Sequence, residues 1–207
     1  MSKFRFVKID DRDLWDSIAK LSPQYSIFSN SVYLNAIGKN YCLYFVYKGQ
    51  HVKATISLIL GDNDNTCKLD DLCIYNSILF INNPEQKITK AHQEQFEITE
   101  FIIQSLDSIY KSFEIALSPE FVDMRPFIWY NYHSNDHKDK FKLDLRYTSY
   151  LNISEFFLKK KDEDTDIFRN LDGKRQSDIK KSIENNMTVR ETDDVELFIR
   201  FYGGSLK

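Results

Sequence analysis

Residues 41–60 have the sequence YCLYFVYKGQHVKATISLIL, in which two apolar runs flank a short polar segment. Residues 41–47 and 52–60 are rich in aromatic and β-branched side chains, which favour extended strands. Gly49 lies between the two runs and supplies the backbone freedom that a tight turn requires. We therefore predict a β-hairpin, and antiparallel pairing in at least part of the sheet.

Helical periodicity follows this hairpin along the chain. Ile98, Ile102 and Leu106 recur at steps of four within residues 93–111, which predicts the longest helix, with one buried face. Shorter helices are expected after capping residues, since Asp, Asn and Ser accept hydrogen bonds from the free N–H groups of a first turn. Their expected starts lie at positions 10 or 11, 29–31, 172 or 173, and 193 or 194.

Short apolar or alternating segments predict further strands, with a polar loop over residues 61–71. Strands and helices do not alternate regularly, so we expect a mixed α/β (α+β) fold rather than a βαβ series. The additional strands are predicted at residues 4–9, 77–81, 113–117, 141–153 and 187–190.

Composition excludes several classes of protein. The 207 residues carry a net charge of −3, which gives no global basic field to attract nucleic acid. Three cysteines without CxxC spacing are typical of reduced thiols in the cytosol. The charged N-terminus does not fit a signal peptide, and no apolar run approaches the ~20 residues of a membrane helix. We expect a cytoplasmic protein with no membrane insertion.

The last third of the chain carries a recognisable pattern. Residues 146–157 are RYTSYLNISEFF, and residues 166–202 are DIFRNLDGKRQSDIKKSIENNMTVRETDDVELFIRFY. A Thr-containing strand with an Asn-Ile-Ser step precedes a segment with Arg175, Ile179 and Lys181, a short strand, and an acidic cap before a helix ending in Phe-Tyr. This order resembles the FemAB-like, peptidoglycan aminoacyltransferase-like branch of the GNAT N-acyltransferases. A weaker likeness extends over residues 117–132.

The resemblance implies tandem GNAT-type domains with largely antiparallel sheets flanked by helices. Residues 1–145 would form an N-terminal GNAT-like domain. Residues 146–207 would supply a connecting strand and helices at the start of a second GNAT-like domain, which the chain does not complete. We therefore expect a truncated member of the family. Were these 207 residues the whole protein, little or no transferase activity would be expected.

The implied reaction is transfer of an acyl or aminoacyl group to an amine of a cell-envelope or sugar precursor. Acyl-CoA or aminoacyl-tRNA would be the donor substrate, and no tightly bound cofactor is expected. The acceptor would be a small or nucleotide-linked molecule. The Arg/Gln-x-x-Gly-x-Gly/Ala loop of simpler acetyltransferases does not occur in the sequence.

Arg175 is the first candidate substrate-binding residue. On a helix it falls beside Ile179 and Ile183, at the edge of the expected packed face. Its guanidinium could hold phosphate groups bidentately, or it could extend to solvent or pair with a nearby acid. Lys181 of the same helix is a second candidate, although its position away from that face also fits a solvated lysine.

Asp123, Arg125, Trp129, Tyr130 and Tyr132 form the densest polar and aromatic cluster. Aromatic rings beside an arginine suit a sugar, another ring or an acyl chain. The alternative is a packed loop in which Asp123 and Arg125 pair locally. Both interpretations remain open at this point.

Other chemistry has weaker signals. His133 and His137 have the spacing of a helical zinc pair, but they lie in a polar segment with no third ligand evident, so no metal site is expected. No nucleophile motif occurs, and no catalytic base can be assigned.

The alternative function is a noncatalytic binding or assembly module that forms a homodimer, or docks a partner, through its C-terminal helices. Nucleic acid is not expected as a partner, apart from a tRNA donor.

Overall fold

The computed structural model describes residues 3–61, 65–76, 78–158 and 162–205. The chain divides into two compact units, Met1–Arg146 and Tyr147–Lys207, and each is described by itself.

The first unit contains a four-stranded sheet in the order β1-β2-β3-β5, and all three pairings are antiparallel. The predicted hairpin is confirmed as β2 and β3, with Gly49 at φ +60° in the turn, a conformation that glycine adopts without strain. A separate two-stranded parallel sheet joins β4 to β6. The strands are β1 (Arg5–Ile9), β2 (Tyr41–Lys48), β3 (His51–Ile59), β4 (Thr66–Cys67), β5 (Ile78–Phe80) and β6 (Ser112–Phe113).

Helices flank the four-stranded sheet, and the predicted caps begin the first two. The side chains of Asp11 and Asn30 accept hydrogen bonds from backbone N–H groups of α1 and α2. The helices of this unit are α1 (Arg12–Ala19), α2 (Ser31–Ala36), α3 (Ile88–Ile109) and α4 (Arg125–Trp129), with short 3₁₀ turns at Ile27–Ser29 and His137–Asp139.

Helices bury both faces of the sheet. Successive side chains of β2 point to opposite faces, so this strand contributes to both layers of the core. Phe45 packs with Trp15 of α1 and Leu34 of α2 on one face. Tyr44 and its same-face neighbours pack with Ile102 of α3 on the other. The result is a three-layer arrangement with α1 and α2 on one side and α3 on the other. A mixed fold with an antiparallel sheet and flanking helices is thus confirmed.

The regular elements described in the second unit are helices, joined by irregular segments. Thr165 caps α6 by accepting a hydrogen bond from the N–H of Phe168 at 3.1 Å, and Asp172 caps α7 in the same way. Thr165 and Phe168 are the buried residues among those described in this unit. Its helices are α5 (Glu155–Leu158), α6 (Asp166–Arg169), α7 (Gly173–Glu184) and α8 (Val195–Ser205), with a 3₁₀ turn at Asp162–Asp164.

The prediction of a strand over residues 141–153, which includes the expected connecting strand, is wrong. These residues form no regular strand, and Leu145, Tyr147 and Tyr150 are exposed. Phe141, at the start of the segment, packs against the core of the first unit. Alternation predicts a strand only where a neighbouring strand is available to satisfy its backbone hydrogen bonds. The strand predicted at 187–190 is absent from the structure for the same reason, and Val189 is fully exposed.

The segments beside the small sheet differ in two ways from the prediction. Of the strand predicted at 113–117, only Phe113 belongs to a strand, β6, and the N–H of Ala116 donates to the side chain of Asn76 at 2.7 Å instead. Part of the predicted loop at 61–71 forms β4. Residues 62–64 of that loop and Ser77 of the predicted strand 77–81 lie outside the described residues.

Among the described residues, no helix combines the length and the apolar character that crossing a bilayer requires.

Candidate functional site

Asp123 and Arg125 form a local ion pair at the start of α4. The guanidinium Nε of Arg125 donates to Asp123 Oδ1 at 2.8 Å, and its Nη2 donates to Oδ2 at 2.6 Å. The hydrogen bonds from Arg125 lower the pKa of the Asp123 carboxyl. The predicted local pairing of these two residues is therefore confirmed.

The same guanidinium lies over two aromatic rings. Its Cζ is 5.2 Å from the ring centroid of Phe96 on α3 and 5.5 Å from that of Trp129. The Phe96 and Trp129 rings meet edge to face at 5.8 Å. Trp129 is thus held by two neighbours, while 52% of its surface remains exposed.

A turn after α4 sends the next two aromatic side chains in different directions. Tyr130 packs against Phe141 at 5.5 Å, and burial, followed by interaction with Asp107, raises its pKa to about 12. Tyr132 remains 64% exposed. Asn131 lies between them at φ +50°, a left-handed conformation that is uncommon outside glycine. Of the two predicted tyrosines, Tyr132 is therefore the exposed one.

Trp129, Tyr132 and His133 line one shallow surface depression, which we call the aromatic platform. The rings of Tyr132 and His133 meet edge to face at 5.4 Å. The ammonium of Lys140 lies 5.9 Å from the Tyr132 centroid. The platform therefore combines two half-exposed rings with an imidazole and a cation at its edge.

The sequence interpretation missed Phe96 as the support of this site. Phe96 is seven residues before the buried Ile103, which places it beside that residue, at the edge of the buried face of α3, at about 100° per residue. An aromatic residue at that edge was the available signal.

Arg175 and Lys181 lie on α7 in the second unit, and both are exposed. Asp172 Oδ1 accepts the backbone N–H of Arg175 at 3.0 Å as the helix cap. The prediction of a packed face beside Arg175 is wrong, since no residue of α7 is buried and Ile183 is largely exposed. The two basic residues are therefore presented on a solvated helix rather than at the edge of a core.

A second charged cluster, absent from the sequence predictions, surrounds Glu94 of α3. Its side chain is 10% exposed, and Oε1 accepts a hydrogen bond from Lys48. Oε2 lies 3.6 Å from Lys53 Nζ and 3.3 Å from Gln86 Nε2. Burial raises the pKa of the carboxyl, but the contacts with Lys48, Gln86 and Lys53 outweigh it and leave the pKa lowered. The signal was an acid four residues before Ile98, on the apolar stripe of α3.

The thiols and the histidines give no further site. Burial raises the pKa of Cys67 to about 12 and that of Cys73 to about 11, so very little of either is present as the nucleophilic thiolate near neutral pH. Within the described residues, no group of three His, Cys, Asp or Glu side chains is arranged to hold a metal ion.

These features define a mixed α/β protein whose first unit is a three-layer core with an aromatic platform on its surface. Comparison with protein-family models, with curated proteins and with solved structures finds no match.

Proposed function

We propose that this chain is a FemAB-like GNAT N-acyltransferase or aminoacyltransferase homologue that acts on an amine of a cell-envelope or sugar precursor. The observation that carries the proposal is the antiparallel order β1-β2-β3-β5, with α1 and α2 on one face and α3 on the other. This agrees with the flanked, largely antiparallel sheet that the pattern of residues 146–202 implies. The resemblance and the layer order support the proposal through different residues.

In this proposal the platform of the first unit binds the acceptor or the acyl part of the donor. Arg125, held by Asp123, acts as a positioning residue, because its guanidinium lies over the Trp129 ring. Arg175 and Lys181, on α7 of the second unit, are a separate candidate for binding the phosphates of acyl-CoA, of aminoacyl-tRNA or of a nucleotide-linked acceptor. In the reaction that the resemblance implies, rate acceleration comes from holding amine and acyl carbonyl together and from stabilising the oxyanion.

The test adds acyl-CoAs or aminoacyl-tRNAs to the chain, follows their binding by the shift in melting temperature, and detects any new amide on amino-sugar acceptors by mass spectrometry. We expect donor binding, and with it any transfer, to fall at least about tenfold in Arg175→Ala, since charged hydrogen bonds are worth about 1.5–3 kcal/mol. Lys180→Ala removes a neighbouring exposed cation on the same helix and serves as the control. The absence of both donor binding and amide formation would contradict the proposal.

A second candidate function, a noncatalytic assembly module, is favoured by α8. Phe198 is 62% exposed, and Val195, Leu197, Ile199 and Tyr202 are also exposed, so most of this helix presents apolar surface. In this alternative α8 docks a second copy or another protein. Light scattering tests it: Phe198→Asp should reduce the apparent mass, whereas Val189→Asp, which adds the same charge outside α8, should not. A monomer at every concentration, with no partner bound through α8, would contradict it.

A further inference from the structure

The aromatic platform has the chemistry to bind one class of ligand. We propose that Trp129 and Tyr132 stack on the ring of a neutral sugar, with His133 at its polar edge. The platform would hold a non-reacting sugar ring of the acceptor, whose amine lies elsewhere, and this role rests on the proposed function. A pyranose ring has an apolar C–H face and a hydroxyl edge, which match exposed rings bordered by an imidazole.

The rings of the platform are preorganised for a ligand. Exposed aromatic side chains normally lose rotamer freedom when a ligand binds, which weakens affinity. Here Trp129 already packs edge to face on Phe96 at 5.8 Å, beneath the Arg125 guanidinium. Tyr132 packs on His133 at 5.4 Å. A ligand that stacks on these rings therefore finds them in place.

The backbone between the two rings is also fixed. Asn131 has φ +50°, and its Nδ2 donates to the carbonyl oxygen of Asp139 at 2.9 Å. The hydroxyl of Ser134 donates to Asp139 Oδ2 at 2.8 Å, and the N–H of Tyr132 donates to the Trp129 carbonyl at 3.1 Å. A left-handed non-glycine residue held by several contacts is typical of a functional turn. This turn is what directs Trp129 and Tyr132 to one surface.

Charge decides between a neutral ring and a nucleotide. Arg125 directs Nε and Nη2 to Asp123, so the fork that would bind a phosphate is already occupied by a carboxylate. The charges of Asp123 and Asp139 balance those of Arg125 and Lys140, so these four groups give the platform no net charge to attract an anionic ligand. The ammonium of Lys140, which lies over the Tyr132 ring, can donate hydrogen bonds to hydroxyl groups as His133 can. A neutral ring with hydroxyl groups satisfies these conditions.

Tryptophan fluorescence provides a direct test, because Trp15 is fully buried and Trp129 is the other tryptophan of the chain. Chitotriose, cellotriose and maltotriose are titrated into the whole chain, with adenosine as a planar comparison. We expect saturable quenching by at least one trisaccharide, and weaker binding of adenosine. The same complexes are followed by saturation-transfer NMR, which does not depend on tryptophan.

The variants separate stacking from stability. Tyr132→Ala and Trp129→Ala should each weaken sugar binding by about tenfold, the upper range for an aromatic contact, while Trp129→Phe should retain part of the affinity. Ile128→Ala is the matched control, because Ile128 is 51% exposed on α4 but does not line the depression. Circular dichroism confirms that each variant is folded, and Tyr132→Ala removes a side chain that is mostly exposed.

Three results would overturn the inference: no binding of any trisaccharide, binding that Ile128→Ala weakens as much as Tyr132→Ala, or tighter binding of adenosine than of every sugar. Failure of the proposed function is distinguishable. Sugar binding that depends on Tyr132, with neither donor binding nor acyl transfer, would contradict the transferase proposal and support the sugar-binding platform. Acyl transfer that Tyr132→Ala leaves unchanged, with no sugar bound, would do the reverse.

Discussion

The two units of the chain differ in how their helices are stabilised. In Met1–Arg146, helices cover both faces of a sheet, and large side chains such as Phe45 and Ile102 are fully buried. In the described part of Tyr147–Lys207, burial reaches Thr165 and Phe168, while the apolar residues of α8 are exposed. Local signals therefore form helices in both units, but tertiary burial adds its larger contribution only in the first. Three substitution pairs and a pH measurement test this comparison.

The largest expected effect pairs two phenylalanines. Phe45→Ala should lower the free energy of unfolding by about 3–5 kcal/mol, because it opens a cavity beside Trp15, whose ring stacks on Phe45 at 5.8 Å. Phe157→Ala, where the side chain is 82% exposed, should change it by less than about 0.5 kcal/mol. Urea unfolding followed by fluorescence measures both. A large loss in Phe157→Ala would show that α5 is buried against a partner in solution.

The next effect concerns the buried carboxylate of α3. Glu94→Gln keeps the shape but leaves Lys48 and Lys53 without their counter-charge, and should cost about 1–3 kcal/mol. Glu97→Gln is the control: its partner Lys3 lies 2.5 Å away at an exposed position, where an ion pair contributes about 0–1 kcal/mol. Equal losses in the two variants would contradict a special role for burial at Glu94.

Two helix caps allow the same substitution in both units. Asp11 accepts the N–H of Leu14 at 2.9 Å, and Asp172 accepts that of Arg175 at 3.0 Å. Each change to alanine should cost its helix about 1 kcal/mol. Asp11→Ala should lower the Tm of the first unit, whereas Asp172→Ala should speed hydrogen exchange within α7 and leave that Tm unchanged. A lower Tm in Asp172→Ala would mean that the two units unfold together.

The smallest expected effect is the pH dependence at Glu94. Its pKa is lowered in the folded state, so its stabilising contribution is complete above the ordinary value of 4.5 and is lost as pH falls through the lower folded value. Glutamine does not titrate, so Glu94→Gln should lose less stability than the parent chain between about pH 5 and pH 3. Thermal unfolding across that range measures the difference. Parallel curves would show that Glu94 is not coupled to folding.

Part of the candidate site was predictable from the sequence. The cluster of Asp123, Arg125 and Trp129 stands out by residue type, and its ion pair needs only a separation of two positions. The roles of Tyr130 and Tyr132 could not be separated, because the direction of each ring follows from the left-handed Asn131. Phe96 supports Trp129 from a helix far away in the chain. Such a contact follows from packing and not from local pattern.

The sequence by itself determined the hairpin, the long helix and the capped helix starts. Each depends on interactions between residues close in the chain, such as the turn at Gly49 and the cap at Asp11. Tertiary structure alone decided whether alternation over residues 141–153 became a strand, because a strand needs another strand to pair with. It also decided that Glu94 is buried, since Lys48 and Lys53 reach it from β2 and β3. Local patterns specify elements, and long-range contacts decide which of them are buried.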